Sequence, residues 1–230
     1  MIESITYDIP LGVLKIINKL PQNIPVVMLM RHSVRHELPP DAPGNDIPLT
    51  KEGRTLAFKL GAQIGERLKS LHSSPILRCM ETAEMIRDGA KLNLKVFPDR
   101  RLGDPGIFVL NAQKAWQNWQ QLGNDGVMSK LVTGSEIMPG MAEPNKAARH
   151  LVHSMLDQVK DPGIHVFVTH DIVIAATVSH LLGRPYGPPK GPSYLEGAFF
   201  MLVDDKVRYL FRDVDNHMPG PIYDTVIDRE

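Results

Sequence analysis

Only one cysteine, Cys79, occurs in the chain. An internal disulfide framework is thereby excluded, and the composition suits a reducing compartment. An excess of charge of either sign is also lacking, since 26 Lys+Arg balance 26 Asp+Glu. With no net field to recruit nucleic acid or an anionic membrane surface, any anion binding has to be local. No apolar run approaches the roughly 20 residues that span a bilayer. Met1 to Pro10 holds acidic residues and no cationic segment followed by an apolar one, unlike a secretory signal. Internal repeats and low-complexity tracts are missing too. The expectation is a soluble, cytoplasmic protein with no nucleic-acid or membrane partner; the oligomeric state leaves no readable trace.

What is present is enough apolar sequence for a sizeable core: 43% of 230 residues. One domain over 1–230 is the better reading at this length. Val26 to Met30 is five apolar residues long, too short for an ordinary helix, and reads as a buried parallel strand. Ile164 to Thr169 reads the same way. His72 to Pro75 reads as a short strand end and turn, and Leu92 to Phe97, Ala198 to Val203 and Val207 to Phe211 complete the strands. Helical spacing is expected over Leu11–Leu20, from a Thr50 cap through Leu56, Leu60, Ile64 and Leu68, from Ile76 through Ile86, over Ala147–Val159 and over Ile172–Leu182. Between Ile107 and Pro144 the pattern weakens to one helix carrying Trp116 and Trp119, taken as an insertion or lid. Strands alternating with helices predict a three-layer α/β/α sandwich around a mostly parallel sheet.

The chemistry gathers where these elements begin and end. The first buried strand stops in Arg31-His32-Ser33-x-Arg35, and the second in His170-Asp171. Arg78 lies in the first turn of a helix, where a cation opposes the helix dipole. Such local misfits are expected at functional sites. Ligands of open α/β sheets bind at the carboxyl ends of strands. Arginine offers a planar, permanently charged fork for phosphate oxygens. A histidine flanked by arginines stays neutral and nucleophilic near pH 7. A neighbouring carboxylate suits protonation of a leaving oxygen and then activation of water.

The chain resembles the histidine phosphatase superfamily, also called the phosphoglycerate mutase-like fold. The likeness rests on four motifs in order. They are Leu29-Met30-Arg31-His32, Asp46-x-Pro48-Leu49-Thr50-x-x-Gly53, Ser73-Ser74-Pro75-x-x-Arg78-x-x-x-Thr82-Ala83, and Val168-Thr169-His170. The resemblance implies that His32 is the nucleophile that becomes phosphorylated. Arg31 and Arg78 would clamp the phosphate, and His170 would donate to the phosphoryl oxygens. It implies no metal and no cofactor, the arginines carrying the positive charge. Ser33 stands where the family usually has glycine. Arg35 and the His170-Asp171 pair resemble the acid phosphatase branch, as a third clamp and a proton donor. The Pro-Leu-Thr and Ser-Ser-Pro motifs resemble the mutase branch, whose donor is a loop glutamate; Asp104 occupies that place here.

The expected activity is hydrolysis of a small phosphomonoester by a metal-independent phosphatase with a phosphohistidine intermediate. A mutase using the same pocket and a catalytically idle binder of phosphorylated ligands are the alternatives. Asp171 is slightly preferred over Asp104 as donor, although it could cap the following helix instead. Arg35 is a third clamp or a solvated loop residue. His36, four positions after His32, has the spacing of paired helical zinc ligands, but the strand before it and the prolines after it disfavour a helix. With Glu37 it is expected to line the substrate entrance. His72 reads as structural, Cys79 as a buried inert thiol, and the two tryptophans as core or as a stacking surface for substrate.

Overall fold

In a computed structural model of the protein, residues 7–39 and 42–218 are described; Met1 to Thr6, Pro40, Asp41 and the last twelve residues lie outside this account. The chain runs α1 (Leu11–Lys19), β1 (Pro25–Arg31), α2 (Lys51–Ile64), β2 (Leu68–Ser73), α3 (Leu77–Ala90), β3 (Val96–Pro98), α4 (Ala112–Thr133), α5 (Pro144–Gln158), β4 (Gly163–Thr169), α6 (Asp171–Leu182), β5 (Gly197–Val203), β6 (Lys206–Phe211) and β7 (Val214–His217). Among the described residues, seven strands form one sheet in the order β3-β2-β4-β1-β5-β6-β7. The β3-β2-β4-β1 half is parallel, and β5, β6 and β7 continue it as an antiparallel meander.

Alternation along β1 divides the core in two. Val26, Met28 and Met30 face α1, α2 and α3, whereas Val27 and Leu29 face the layer that contains α4, α5 and α6. All five are fully buried. At about 1.5–3 kcal/mol per large apolar side chain taken from water, this strand is a principal source of stability. Burial on both faces is what makes a parallel strand a continuous apolar run. The three-layer α/β/α sandwich expected from the sequence is the observed fold.

Several boundaries differ from the sequence pattern. Leu68 continues the i, i+4 series of α2, yet it opens β2. The helix ends because Gly65 turns the chain with φ 57° and ψ −141°, after which a short 3-10 turn leads into the strand. The strand expected from Leu92 is only Val96–Pro98, and α5 begins at Pro144, its first helical position. Nothing in Val214–His217 has strand-like alternation of apolar residues, but it pairs with β6 as an exposed edge.

Register decides where the polar strand ends meet. Parallel pairing of β1 with β4 sets Arg31 opposite Thr169. The His32 N–H then donates to the Thr169 carbonyl at 2.9 Å, and the Ser74 N–H to that of Val168 at 2.9 Å. Three chain segments therefore leave one sheet edge within a residue of each other, delivering His32, Ser74 and His170 to the same place.

Candidate active site

His32 and His170 face each other with ring centroids 5.6 Å apart and planes inclined at 68°. The His32 ring is held through Nδ1, 2.7 Å from the Ser33 carbonyl oxygen. A carbonyl only accepts, so Nδ1 carries the proton and Nε2 keeps its lone pair. Burial first, and then the proximity of His170, Arg31 and Arg78, hold this imidazole well below its ordinary pKa. His170 is pushed down to about 3, by desolvation and then by Arg78, Arg31 and Arg35. Both rings are neutral at neutral pH. Arg78 Nη2 approaches His170 Nδ1 at 3.4 Å, and Ser74 Oγ lies 3.2 Å from Nε2. A guanidinium only donates, which makes Nδ1 the acceptor and leaves the His170 proton on Nε2.

Ser33 is fully buried and tied at both ends. Its Oγ donates to the Gly53 carbonyl at 2.7 Å, and its N–H donates to Thr82 Oγ1 at 3.0 Å. The turn after β1 is thus fastened to α2 and α3 together. Thr50 caps α2 by accepting from the Gly53 N–H, as the sequence predicted. A Cβ at Gly53 would sit 2.0 Å from the Val34 carbonyl oxygen, so this contact admits glycine alone. The Leu49 N–H donates to Glu81, which also pairs with Arg54, fixing the α2 start against α3.

Three arginines surround the rings. Arg31 donates to the Pro192 carbonyl at 2.8 Å, pairs with Asp171 at 2.8 Å, and lies 4.2 Å above the centre of the Tyr194 ring. Arg78 donates to the Gly44 carbonyl at 2.7 Å from the uncapped first turn of α3. Arg35 donates to its neighbour's carbonyl, that of His36, at 2.8 Å. Among the described residues, Arg31 Nε and Arg78 Nε are buried without a partner. Each is a donor whose isolation costs roughly 1–3 kcal/mol until an acceptor arrives.

All seven residues singled out from the sequence, His32, His170, Asp171, Asp104, Arg31, Arg35 and Arg78, line one cavity of about 610 Å³. Asp171 opens α6, so it follows the cap position instead of occupying it. Its Oδ2 takes the Arg31 pair and its Oδ1 accepts the Ile172 N–H at 2.8 Å. Asp104 is more exposed, with Arg100 at 3.8 Å. It follows Gly103, whose added Cβ would lie 2.5 Å from Ser74 Oγ and 2.7 Å from His170 Nε2.

His36 and Glu37 are exposed and do not line the cavity; Leu38 and Pro39 stand at its edge instead. His36 follows a strand and lies outside any helix, so the zinc spacing has no helical geometry behind it. Among the described residues no group of three His, Cys, Asp or Glu is placed to hold a metal ion. His72 stacks on Phe167 at 4.4 Å and meets Ser70 Oγ at 3.1 Å, a structural arrangement. Cys79 is fully buried, 3.6 Å from the Thr169 carbonyl oxygen, and burial pushes its thiol up to about 12. The reading from sequence missed Ser74 and Tyr194. Ser74 stands inside the Ser73-Ser74-Pro75 motif, but Tyr194 lies far along the chain from Arg31 with no local signal to join them.

A model of the histidine phosphatase superfamily (branch 1) matches residues 27–193. The chain belongs to this superfamily. Its mixture of motifs therefore sits within branch 1. A 2,3-bisphosphoglycerate-dependent phosphoglycerate mutase of Thermoplasma acidophilum is 29% identical over 135 residues, 58% of this chain. The chain spans 63% of that relative's length, just under two thirds. Among solved superfamily-like folds, a phosphoserine phosphatase from Entamoeba histolytica in complex with phosphoserine superposes with TM-score 0.58 at 16% identity. That likeness covers 83% of this chain and 98% of the other. A mycobacterial hydrolase superposes at 0.56 and 18% identity, covering 83% and 91%. No helix among the described residues is long and apolar enough to cross a membrane.

Proposed function

We propose that the protein is a phosphatase of small phosphomonoesters that works through a phosphohistidine on His32 and needs no metal. The observation that carries this reading is the pair of facing neutral imidazoles, with the His32 Nε2 lone pair freed by the Nδ1 bond to Ser33. Nε2 attacks phosphorus in line. The bond to the leaving oxygen breaks, and a carboxylic acid gives that oxygen its proton. Arg31, Arg35, Arg78 and the His170 Nε2–H hold the three other phosphoryl oxygens, where charge accumulates in the transition state. While the phosphoryl group sits on Nε2, the Ser33 carbonyl steadies the ring through Nδ1–H. A water then loses its proton to the same carboxylate and attacks phosphorus. The P–N bond breaks, its electrons return to Nε2, and phosphate leaves.

Asp104 is the better donor of the two candidates. Both Asp171 oxygens already accept hydrogen bonds, one from Arg31, which suits it to orient a clamp. Asp104 lies next to the glycine that touches His170 and has the exposure that an exchanging water needs. A mutase is the second reading, favoured by the name of the Thermoplasma relative. Incubation with 3-phosphoglycerate, scoring free phosphate against isomerised ester, separates the two.

His32→Ala is expected to abolish phosphate release and the acid-labile phosphoenzyme in the same preparation. Undiminished release by that variant would end the proposal. Asp104→Asn should lower kcat by about 10²- to 10⁴-fold, the usual worth of a general acid. Asp171→Asn should act mainly on KM.

A further inference from the structure

The cavity is much larger than the phosphate site at its end. Its roughly 610 Å³ falls within the range of about 300–1,000 Å³ that encloses drug-sized ligands. All the cations that line it among the described residues, Arg31, Arg35 and Arg78, are grouped around His170, whose ring all three depress. The remainder is walled mainly by apolar side chains, among them Phe108, Val109, Trp116, Trp119, Leu131 and Met141, with Asn45 and Asn124 as uncharged polar groups on the lining. The other charged groups on the lining among the described residues are Asp104 and Asp171, and neither offers a second anion a positive partner.

Trp116 and Trp119 stand three residues apart on α4 and therefore share a helix face. Neither is fully buried. Trp119 packs against the core on the α4–α6 side of the sheet, whereas Trp116 belongs to no core cluster. Gly123, in the left-handed region at φ 65°, kinks α4 directly after this face and also lines the cavity. The helix is thereby divided into a tryptophan-bearing half and a half whose Val127 and Leu131 are anchored in the core.

We infer that the leaving group selected by this cavity is a bulky apolar or aromatic alcohol, with Trp116 as the specificity-determining contact, and that a doubly anionic substrate such as phosphoglycerate is disfavoured. The inference builds on the phosphatase reading and narrows its substrate. Desolvated aromatic contacts reward a ring on the leaving group. A second carboxylate or phosphate finds no lining arginine or lysine beyond the clamp among the described residues.

The test compares 2-(1-naphthyl)ethyl phosphate with ethyl phosphate and 3-phosphoglycerate. The first two are primary alkyl esters, so leaving-group basicity does not drive the comparison. The wild-type protein is expected to favour the naphthylethyl ester by at least about tenfold in kcat/KM, the scale on which hydrophobic pockets discriminate. Trp116→Ala should raise KM for it about tenfold and leave ethyl phosphate within twofold; Trp116→Phe should restore most of the difference. Calorimetry with naphthylmethylphosphonate against methylphosphonate reads the same preference without turnover. No hydrolysis of any ester, with selective phosphonate binding intact, would overturn the phosphatase reading and keep the apolar pocket. Hydrolysis with equal kcat/KM for the three esters, or equal phosphonate affinities, would overturn the inference alone.

Discussion

At the residue scale, the site is built by keeping histidines neutral inside a ring of cations. That choice has a consequence for stability. Desolvation depresses His32 and His170, the latter to about 3, and burial likewise lowers His72, which stacks on Phe167 and Phe97, to about 4. In the unfolded chain each returns to about 6.5. Below that pH the unfolded chain takes up protons that the folded protein refuses, so stability is complete above about 6.5 and declines toward 4. The limiting linkage slope is about 1.4 kcal/mol per pH unit for each such group. Thermal melts between pH 7 and pH 4.5 should show a steep fall in Tm, and His72→Gln should make that fall shallower. An equal slope in the variant would show that this ring does not carry the effect. The residues themselves were legible because each stands at the end of a segment with a clear period. Arg31 and His32 interrupt a run of five apolar residues, and His170 interrupts a second. Ser74 and Tyr194 were not legible as site residues, since their parts come from contacts made only in the folded chain, at His170 Nε2 and over the Arg31 guanidinium.

At the scale of elements, α2 and α3 hold the site together through glycines. An added Cβ at Gly61 would lie 2.0 Å from the Ile86 carbonyl oxygen, and one at Gly89 would lie 1.9 Å from that of Phe58. The two helix backbones approach as closely as they do because those side chains are missing. Overpacking of this kind costs typically 1–3 kcal/mol. Gly61→Ala should therefore lower the denaturation midpoint with an unchanged m-value. It should also weaken phosphate binding, because displacing α3 moves Arg78 and Thr82 with it. A midpoint equal to that of the wild type would show that the helices separate without cost. Element boundaries were harder to read than elements. The apolar spacing of α2 runs on to Leu68, and the pattern alone does not reveal that Gly65 turns the backbone. Leu92 and Leu94 alternate like a strand but pack from outside one, and the kink of α4 rests on Gly123 inside a segment of weak periodicity. The polar edge strand β7 has too little apolar pattern to announce itself.

At the scale of the whole molecule, a chain with no net charge concentrates three guanidinium groups at one sheet edge, offset there by Asp171. Like charges held together out of water oppose folding, and the partnerless Arg31 Nε and Arg78 Nε add to that cost. A bound dianion relieves both. Ligand that binds only the folded state stabilises it by RT ln(1 + [L]/Kd), about 2.7 kcal/mol at a hundredfold excess over Kd. For a chain of this size that corresponds to a rise in Tm of roughly 5–10 °C. Inorganic phosphate should produce this shift in the wild-type protein at constant ionic strength, with chloride as the salt control. Arg78→Met keeps much of the side-chain volume and removes the charge. The variant should be at least as stable as the wild type without phosphate, as expected when function holds unfavourable charge in place, and it should lose most of the phosphate-induced rise. A variant that melts well below the unliganded wild type would mean that Arg78 serves the fold through its Gly44 bond more than it serves the anion.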